Sequence, residues 1–293
     1  MVLIMVSFIN SPDYIMEQKH ASELSSIKRL LYIILGIVIS FFHNNTSRKT
    51  FTRSVNLLLR KKSKINYENG MYYASDNSGK FYFPNKRVVR MLNGIVEQSN
   101  KLFDLYCLDK ITFSGEDTVI DCGANTGELY PYLKKVVPEL EYLAFEPDQK
   151  VYNCLLKNVN DEKATLRSDA LSNKSGMTKF YNSTRGADSS LEYSGEKSYT
   201  EVKTIKLDDL EITNIKLLKI DAEGHELEVL QGALKTLSQI TYIAVDFGPE
   251  KGEQDERTLP EVSNFLYENN FKMVKANNLR DIGLFLNTNH YQE

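Results

Sequence analysis

The sequence predicts a doubly wound α/β domain, in which a parallel sheet carries helices on both faces. Apolar runs of strand length alternate with helical stretches from residue 117 onward. A glycine-containing turn joins the first run to the first helix, and an acidic residue ends the second run. With 293 residues, 42% of them hydrophobic, the chain can bury one large core and an appendage.

Strands and helices are predicted in regular alternation. The strands are expected at residues 118–121, 141–146, 164–168, 215–221, 240–247 and 271–276, and the last of these ends the series. The helices are expected at residues 128–137, 149–159 and 225–237, followed by a helical stretch that ends at Glu268. Helical spacing in the third helix places four leucines in the core: Leu227, Leu230, Leu234 and Leu237.

The other segments are predicted to be additions to this α/β domain, which is expected to span residues 117–293. Residues 65–116 are predicted to form a hairpin and a helix that cover the core, because aromatic residues flank the turn signals NG and SG. The same aromatic residues could alternatively form a stacking platform for a sugar: Tyr72, Tyr73, Phe81, Tyr82 and Phe83. Residues 1–64 are predicted to form a hydrophobic and basic helical extension.

This N-terminal extension is a candidate for membrane contact. Residues 28–64 contain nine Lys and Arg residues and no Asp or Glu, although the whole chain has a net charge of −3. The apolar stretch 30–42 is shorter than the ~20 residues that a span needs, and the basic stretch 48–64 resembles an interfacial amphipathic helix. We expect residues 28–64 to lie on a membrane surface; the alternative is an apolar helix packed on the main domain. If the segment spans, its C-terminal positive charges place the body in the cytosol.

The cysteines favour a reducing compartment. Cys107, Cys122 and Cys154 are an odd set without CxxC spacing, which argues against a disulfide framework and a zinc site. No small-residue cleavage site follows the apolar stretch, so a removable signal peptide is not expected. We therefore expect a cytoplasmic protein, or one on the cytoplasmic face of a membrane.

The motif DCGANTG at residues 121–127 predicts a nucleoside site. It lies at the carboxyl end of the first strand, where ligands bind in doubly wound sheets. Glu146 ends the second strand, from which a carboxylate reaches ribose hydroxyls. Gly123 is expected to permit the tight turn, and Gly127 to let the first helix begin close to the ligand.

The same motif argues against a dinucleotide. A pyrophosphate site needs GxGxxG, but the second and third glycines are replaced by Asn125 and Glu128, and the glutamate would set a carboxylate against the phosphates. Asp121, just before the turn, suits a positively charged cofactor. S-adenosylmethionine carries an ammonium and a sulfonium, and it is the predicted cofactor.

Residues 117–247 resemble the FkbM-type family of class I S-adenosylmethionine-dependent methyltransferases, whose sheet is Rossmann-like. The resemblance rests on TVIDCGANTG, YLAFEPD, DALSN, GADSSLE, TIKLDDL and LLKIDAEGHELEVLQGA, which occur in the family's order. It implies methyl transfer to a hydroxyl of a sugar, glycan or secondary metabolite. The cofactor-binding residues that it implies are Asp121, Gly123, Ala124, Asn125 and Gly127 in the loop, Glu146 and Pro147 at the ribose, and Asp169 and Ala170 at the adenine.

The stretch KIDAEGHE at the end of the fourth strand supplies candidates for a catalytic base. A hydroxyl is a weak nucleophile, so its proton must be taken up as the oxygen attacks. The candidates are Asp221, Glu223 and His225; the histidine could act near neutral pH, whereas a carboxylate needs a raised pKa or a metal. A divalent ion held by Asp221 and Glu223 is an alternative, since oxygen ligands suit magnesium, but no metal ligand is assigned. Each candidate also has a structural alternative, and Glu226 is expected only to favour the helix N-terminus.

Further alternatives concern the acceptor and the activity. The polar loop at residues 186–193 could close over the acceptor, or it could be an exposed connection between two strands. The chain could also be a membrane-associated protein that binds the cofactor without turnover. No nucleic-acid partner is expected, because the domain is acidic and lacks an (N/D)PP(Y/F) motif.

Overall fold

The computed structural model describes residues 47–181, 199–252, 256–277 and 280–290. The chain divides into two units, Met1–Gln98 and Ser99–Glu293. The boundaries expected from the sequence, after residues 64 and 116, do not coincide with this division. The apolar stretch 30–42 and the polar loop 186–193 lie outside the described residues.

The described part of the first unit consists of a helix, a three-stranded antiparallel sheet and a 3-10 helix. The strands pair in chain order. A second helix begins in this unit and ends in the next. These elements are α1 (Arg48–Leu59), β1 (Lys64–Glu68), β2 (Met71–Asp76), β3 (Gly79–Phe83), the 3-10 helix Lys86–Asn93 and α2 (Ile95–Leu105).

Helix α1 turns apolar residues of the basic stretch inward. Phe51 and Val55, one turn apart, are buried in the core of this unit, and the Phe51 ring meets the Tyr72 ring edge-on with centroids 6.3 Å apart. These two side chains are therefore not available to a bilayer. Leu57 and Leu58 remain 69% and 43% exposed.

The predicted aromatic hairpin is present as β2 and β3. Tyr72, Phe81 and Phe83 lie in the core of the first unit. Tyr73 and Tyr82 face each other across the strands, with ring centroids 5.6 Å apart, and are only partly buried. Of the five aromatic residues, only these two could serve as a stacking platform.

The second unit contains further strands and helices around a large sheet. The strands are β4 (Thr118–Cys122), β5 (Glu141–Phe145), β6 (Ala164–Arg167), β7 (Ala170–Leu171), β8 (Gly176–Tyr181), β9 (Tyr199–Ile205), β10 (Ile215–Ile220), β11 (Ile240–Asp246), β12 (Pro249–Lys251), β13 (Glu256–Arg257), β14 (Phe271–Asn277) and β15 (Ile282–Asn287). The helices are α3 (Tyr130–Val136), α4 (Gln149–Asn158), α5 (Glu226–Gln231) and α6 (Leu259–Glu268), with 3-10 helices at Leu108–Lys110, Leu207–Leu210, Thr236–Gln239 and Thr288–His290.

The large sheet has the strand order β14-β15-β11-β10-β4-β5-β6. Strands β11, β10, β4, β5 and β6 are parallel, which confirms the doubly wound α/β prediction. The prediction that residues 271–276 end the series is wrong, because β15 follows and pairs antiparallel with both β11 and β14. A six-residue apolar run cannot be assigned by periodicity alone.

Apolar side chains cover both faces of this sheet, because successive residues of a strand point to opposite sides. Ile120 of β4 belongs to one core cluster together with Val229 of α5 and Leu266 of α6. Its neighbour Val119 belongs to the opposite cluster, together with Leu133 of α3. Helices packed on both faces of the sheet hold the carboxyl ends of β4, β5, β10 and β11 at one edge.

Helix α5 is shorter than the helix predicted at residues 225–237. Gly232 caps it, and a Cβ on Gly232 would lie 2.0 Å from the carbonyl oxygen of Ser172, so the two backbones pass closely. The chain continues as a 3-10 helix, the helical spacing is lost, and Leu234 is 53% exposed. The prediction that Leu234 lies in the core is therefore wrong.

The described part of the crossover from β6 to β10 contains strands where a doubly wound fold usually has a helix. Strands β7, β9 and β8 form a small sheet in that order, and β8 and β9 flank the residues of the polar loop.

Cys107, Cys122 and Cys154 are all buried and unpaired. Across the residues described, no helix is both long enough and apolar enough for a membrane crossing.

Candidate active site

Acidic side chains gather at the carboxyl edge of the parallel strands. Asp121 lies in β4, directly beside Lys219 of β10. Ile220 of β10 pairs with Val245 of β11, so that Asp221 and Asp246 follow as neighbours. Glu146 follows β5 on the other side of β4. Four neighbouring strand ends thus bring together residues that lie more than 100 positions apart in the chain.

The backbone N–H groups of the loop after β4 are hydrogen-bonded within the protein. The N–H groups of Gly123 and Ala124 bond the Phe145 carbonyl at 3.0 and 2.9 Å, and the N–H of Asn125 bonds Glu146 Oε2 at 3.0 Å. The next two N–H groups bond Asn125 Oδ1 and the Ala124 carbonyl. Since each donor from residue 123 to residue 127 is engaged, the loop does not present the row of N–H groups that a pyrophosphate needs.

The two glycines of the loop both have left-handed backbones and close neighbours. Gly123 has φ +73°, and a Cβ there would lie 1.9 Å from the carbonyl oxygen of Asp221, in agreement with the predicted tight turn. Gly127 has φ +84°, and its Cβ would meet Leu155 of α4 and Val159, just after α4, at 2.9 and 3.0 Å. The loop thus packs closely on α4, and the expectation that Gly127 lets the first helix begin close to the ligand stays a prediction.

Glu146 is a buried carboxylate that organises the loop. Its Oε2 accepts from the N–H of Asn125, and its Oε1 accepts from the N–H of Asp148 at 2.9 Å. Burial raises the pKa of Glu146 to about 8, although these two hydrogen bonds oppose the shift. Each oxygen keeps a second lone pair, so the group can also accept from ribose hydroxyls. Pro147, partly buried, separates it from Asp148.

The predicted adenine contact lies beyond β6. Asp169 is buried, and its Oδ2 accepts from Nε and Nη2 of Arg167 at 2.8 and 2.7 Å. Lys203 Nζ lies 3.5 Å from its other oxygen. Ala170 begins β7 and pairs with Thr204 of β9. The contact of Asp169 and Ala170 with adenine stays a prediction.

A buried ion network lies between β4 and β10. Lys219 is 3% exposed, and its Nζ lies 2.9 Å from Asp121 Oδ1 and 3.6 Å from Asp221 Oδ2. Tyr142 donates its hydroxyl to Asp121 Oδ2 at 2.6 Å, and Tyr106 donates to Asp221 Oδ2 at 2.7 Å. Burial alone would lower the pKa of Lys219, but the two carboxylates outweigh it and raise that pKa above its ordinary value. Asp121 is thus paired inside the protein, and its direct contact with a cofactor stays a prediction.

Four members of this region were not predicted from the sequence: Lys219, Tyr106, Tyr142 and Asp246. A charged residue within the apolar run IKLLKID was the available signal for Lys219, because lysine is almost never fully buried unless it is paired. Asp246 ends its strand as Asp121 and Asp221 end theirs. No sequence signal placed Tyr106, which lies 115 residues before Asp221.

Asp246 has an unusual environment at the end of β11. It is 9% exposed, and its Oδ1 accepts from the N–H of Gly248 at 3.1 Å. Burial, and next the charge of Asp221, raise the pKa of Asp246 to about 7. It is therefore a carboxyl group that changes protonation near neutral pH.

The three predicted catalytic residues occupy the turn after β10. Asp221 is partly exposed, and Glu223 has φ +51° within the turn. His225 Nε2 lies 2.9 Å from Ser172 Oγ, and His225 Nδ1 lies 3.7 Å from Glu228 Oε2, which together fix the ring at the start of α5. Their roles as a base stay predictions.

Glu226 stabilises this turn from inside. Its Oε1 accepts from the N–H groups of Ala222 and Gly224 at 3.2 and 3.0 Å, and its Oε2 accepts from Thr258 Oγ1 at 2.9 Å. A buried carboxylate with these partners has a structural role. In the described parts of the chain, no three His, Cys, Asp or Glu side chains converge in a way that could hold a metal.

The residues present fit S-adenosylmethionine. Among four neighbouring charged side chains, the carboxylates of Asp121, Asp221 and Asp246 outnumber the ammonium of Lys219, which favours a cationic ligand. The hydroxyl of Thr126, buried in the loop, has no hydrogen-bond partner among the described residues. Buried polar atoms are rarely left unpaired, so this one suits a polar ligand.

Comparison with known proteins places the same residues in a family. The model described as methyltransferase FkbM domain matches residues 121–273. The hexuronic acid methyltransferase AglP of Haloferax volcanii is 31% identical over 137 residues, which cover 45% of this chain and 56% of that protein. The methyltransferase sdnD of Sordaria araneosa is 29% identical over 171 residues, which cover 45% of this chain and 66% of that protein.

The chain therefore spans between about half and two thirds of the length of these relatives. Among solved structures, an FkbM methyltransferase from Methylobacillus flagellatus KT aligns over 69% of this chain and 55% of its own, with 16% identity and a TM-score of 0.46.

Proposed function

The chain belongs to the FkbM methyltransferase family, its cofactor is S-adenosylmethionine, and we propose that it methylates a hydroxyl of a sugar, glycan or secondary metabolite. When bound, the cofactor supplies a methyl group on a positively charged sulfur that is readily displaced. The observation that supports the proposal is the edge of the sheet, where a loop whose N–H groups are already engaged adjoins a cluster of carboxylates.

The cofactor residues have separate tasks in this proposal. Glu146 accepts from the two ribose hydroxyls while it holds the loop through Asn125. Asp169 lies on the β6 side, where the adenine would extend, and Ala170 follows it. Asp121 acts through the ion network, in which it fixes Lys219 below the loop. Alignment of the reacting groups is the main contribution that such a site makes to methyl transfer.

The carboxylates at β10 and β11 support a hydroxyl acceptor. A hydroxyl must lose its proton as its oxygen attacks, so a proton acceptor is needed on the side of the site away from the ribose. Asp221 lies there, with Glu223 and His225 in the turn that follows it. The relative from Haloferax volcanii carries the name of a hexuronic acid methyltransferase, which supports sugars as the first class to test.

The test is methyl transfer by the full-length chain from radiolabelled S-adenosylmethionine to a panel of acceptors. The panel contains uronic acids, neutral sugars and phenols, each with a matched compound in which the hydroxyls are already methylated. Transfer to the free hydroxyl compound and none to its methylated partner supports the proposal. Tight cofactor binding with no transfer to any member supports instead a binding protein without turnover.

We also propose that α1 contacts the anionic cytoplasmic surface of a membrane. Lys49, Arg53 and Leu57 are exposed and recur every four residues, so they form one stripe on the side away from the buried Phe51 and Val55. Each basic residue near an anionic surface adds about 1 kcal/mol.

Sedimentation with phosphatidylserine vesicles and with phosphatidylcholine vesicles tests the membrane proposal. Full-length protein should bind the anionic vesicles, and Arg53→Glu should weaken that binding several-fold. Lys235→Glu, at an exposed lysine of the second unit, is the control of equal charge change. Equal binding by all three proteins would refute a role for α1.

A further inference from the structure

Asp246 occupies the acceptor side of the sheet edge. Strand β10 separates β11 from β4, so Asp246 lies two strands from the cofactor loop and three from the ribose-side Glu146. The two residues that follow hold it in place: the N–H of Phe247 bonds the Asp281 carbonyl at 2.6 Å, and the N–H of Gly248 bonds Asp246 Oδ1. These bonds hold the carboxyl group at the carboxyl edge of the sheet, on the side away from Glu146.

The hydrogen bonding of the Asp246 carboxyl group differs from that of the neighbouring aspartates. Both oxygens of Asp121 are engaged, by Lys219 and Tyr142. Asp221 accepts from Tyr106 and lies near the ammonium of Lys219. Among the described residues, no donor bonds Oδ2 of Asp246. An oxygen without a partner is the one that can receive a hydroxyl proton.

The charges around Asp246 make it the better proton acceptor. Asp221 faces it from β10, and burial together with that negative charge raises the pKa of Asp246. Lys219 of β10 and Arg280, just before β15, oppose this shift and are outweighed. The Tyr106 hydroxyl also lies within the field of both carboxylates. A base works best when its pKa is near the working pH, and these surroundings move Asp246 in that direction.

Resting on the proposed function, we infer that Asp246 is the catalytic residue that accepts the proton of the attacking hydroxyl. The oxygen forms a new bond to the methyl carbon, the carbon–sulfur electron pair stays on sulfur, and the O–H proton passes to Oδ2 of Asp246. Water then takes the proton from Asp246. Charge and atoms balance, because a sulfonium and a carboxylate become a neutral thioether and a carboxylic acid.

The alternative bases are less well placed for this step. His225 is tied to Ser172 and Glu228 at the start of α5. Glu223 lies in the turn with a left-handed backbone. Asp221 lies near the cation of Lys219, and a nearby cation favours the ionised carboxylate and weakens it as a base. Asp221 is better suited to hold the acceptor hydroxyl beside Asp246.

The decisive variant is Asp246→Asn in the full-length enzyme. The amide keeps the shape and the oxygen that accepts from Gly248, but it cannot take a proton. We expect kcat to fall by about a hundredfold or more, with the KM of the acceptor and the calorimetric affinity for S-adenosylmethionine each within about threefold. Asp109→Asn, at an exposed carboxyl paired with Lys110 at 2.6 Å, should leave kcat unchanged.

Two pH measurements complete the test. The kcat/KM of the wild type, which reports the groups of the free enzyme, should rise through about pH 7 to a plateau. In protein labelled with ¹³C at aspartate carboxyls and free of cofactor, the resonance absent from Asp246→Asn should titrate with the same midpoint. Wild-type turnover in Asp246→Asn, or a midpoint near the ordinary value of about 4, would overturn the inference. Absence of transfer by the wild type to every hydroxyl acceptor would overturn the proposed function and this inference with it.

Discussion

The two sides of the sheet edge differ in the groups that form them, which are mainly backbone groups on one side and charged side chains on the other. On the β4–β5 side, backbone N–H groups and the single carboxylate of Glu146 close the loop upon itself. On the β10–β11 side, the structure relies on the side-chain charges of Lys219, Asp221 and Asp246, and Lys219 pairs across to Asp121 of β4. The first side can recognise a ligand by shape and hydroxyl pattern, whereas the second can handle a proton. The five predictions that follow test this division, beginning with the largest expected effect.

Removing the buried cation should damage the β10–β11 side most. Lys219→Met leaves the carboxylates of Asp121 and Asp221 without their partner in the interior, and breaking a buried pair costs about 3–5 kcal/mol. Urea denaturation of the second unit measures this loss. Lys216→Met, the same change on the same strand at a partly exposed position, should cost less than about 1 kcal/mol. Equal losses in the two variants would show that the network has no special role.

A methyl group at Gly123 should disturb the junction of the two sides. The backbone has φ +73°, and the added Cβ would overlap the Asp221 carbonyl. Gly252→Ala is the matched control, because Gly252 has φ +69° with nothing within 4 Å. A left-handed alanine costs about 1–2 kcal/mol in both proteins, so the further loss in Gly123→Ala reports the overlap with the Asp221 carbonyl, and we expect it to be at least as large. Thermal unfolding of both proteins measures this difference. Similar Tm values would refute the close approach of the Gly123 backbone to the Asp221 carbonyl.

Truncating Glu146 should weaken cofactor binding rather than proton transfer. Glu146→Ala is expected to weaken S-adenosylmethionine binding more than about tenfold, as for the loss of hydrogen bonds to two hydroxyls. Glu146→Gln, which can still accept from Asn125, should lose less. Calorimetric titration gives both affinities. Unchanged affinity in a folded Glu146→Ala protein would remove the ribose assignment.

The raised pKa of Glu146 leads to a prediction of how the stability of the folded protein depends on pH. Burial raises the folded-state pKa of Glu146 to about 8 from an ordinary value of 4.5, so the folded state holds a proton that the unfolded state releases. The stabilisation is complete below about pH 4.5 and is lost as pH rises towards about 8. Tm of the cofactor-free protein between pH 5 and 8 should fall, and Glu146→Gln should fall less. Parallel Tm curves for the two proteins would contradict this prediction.

The smallest effect is expected at His225. Its hydrogen bond to Ser172 is worth about 1 kcal/mol of stability, and His225→Ala should change kcat by less than about threefold with cofactor affinity unchanged. Steady-state kinetics with the best acceptor measures this. A loss of a hundredfold or more would place the base at His225 and remove Asp246 from that role.

The sequence predicted the β4–β5 side better than the β10–β11 side for a physical reason. A glycine turn, followed along the chain by a strand with Glu146 directly after it, is a local pattern, and local patterns determine backbone-built sites. The ion network joins Tyr106, Asp121 and Lys219 through strand order and register, which periodicity does not specify. The antiparallel β15 was missed for a similar reason, since its place between β11 and β14 is a matter of topology.

The three cysteines, described above as buried and unpaired, give this chain a practical property. Burial raises the thiol pKa of each of them, that of Cys154 to about 11, so little reactive thiolate is present near neutral pH. Because the chain has no other cysteine, one introduced at an exposed position would be the only thiol to react quickly with a maleimide dye. Fluorescence reporters could thus be attached at chosen points without first removing the native cysteines.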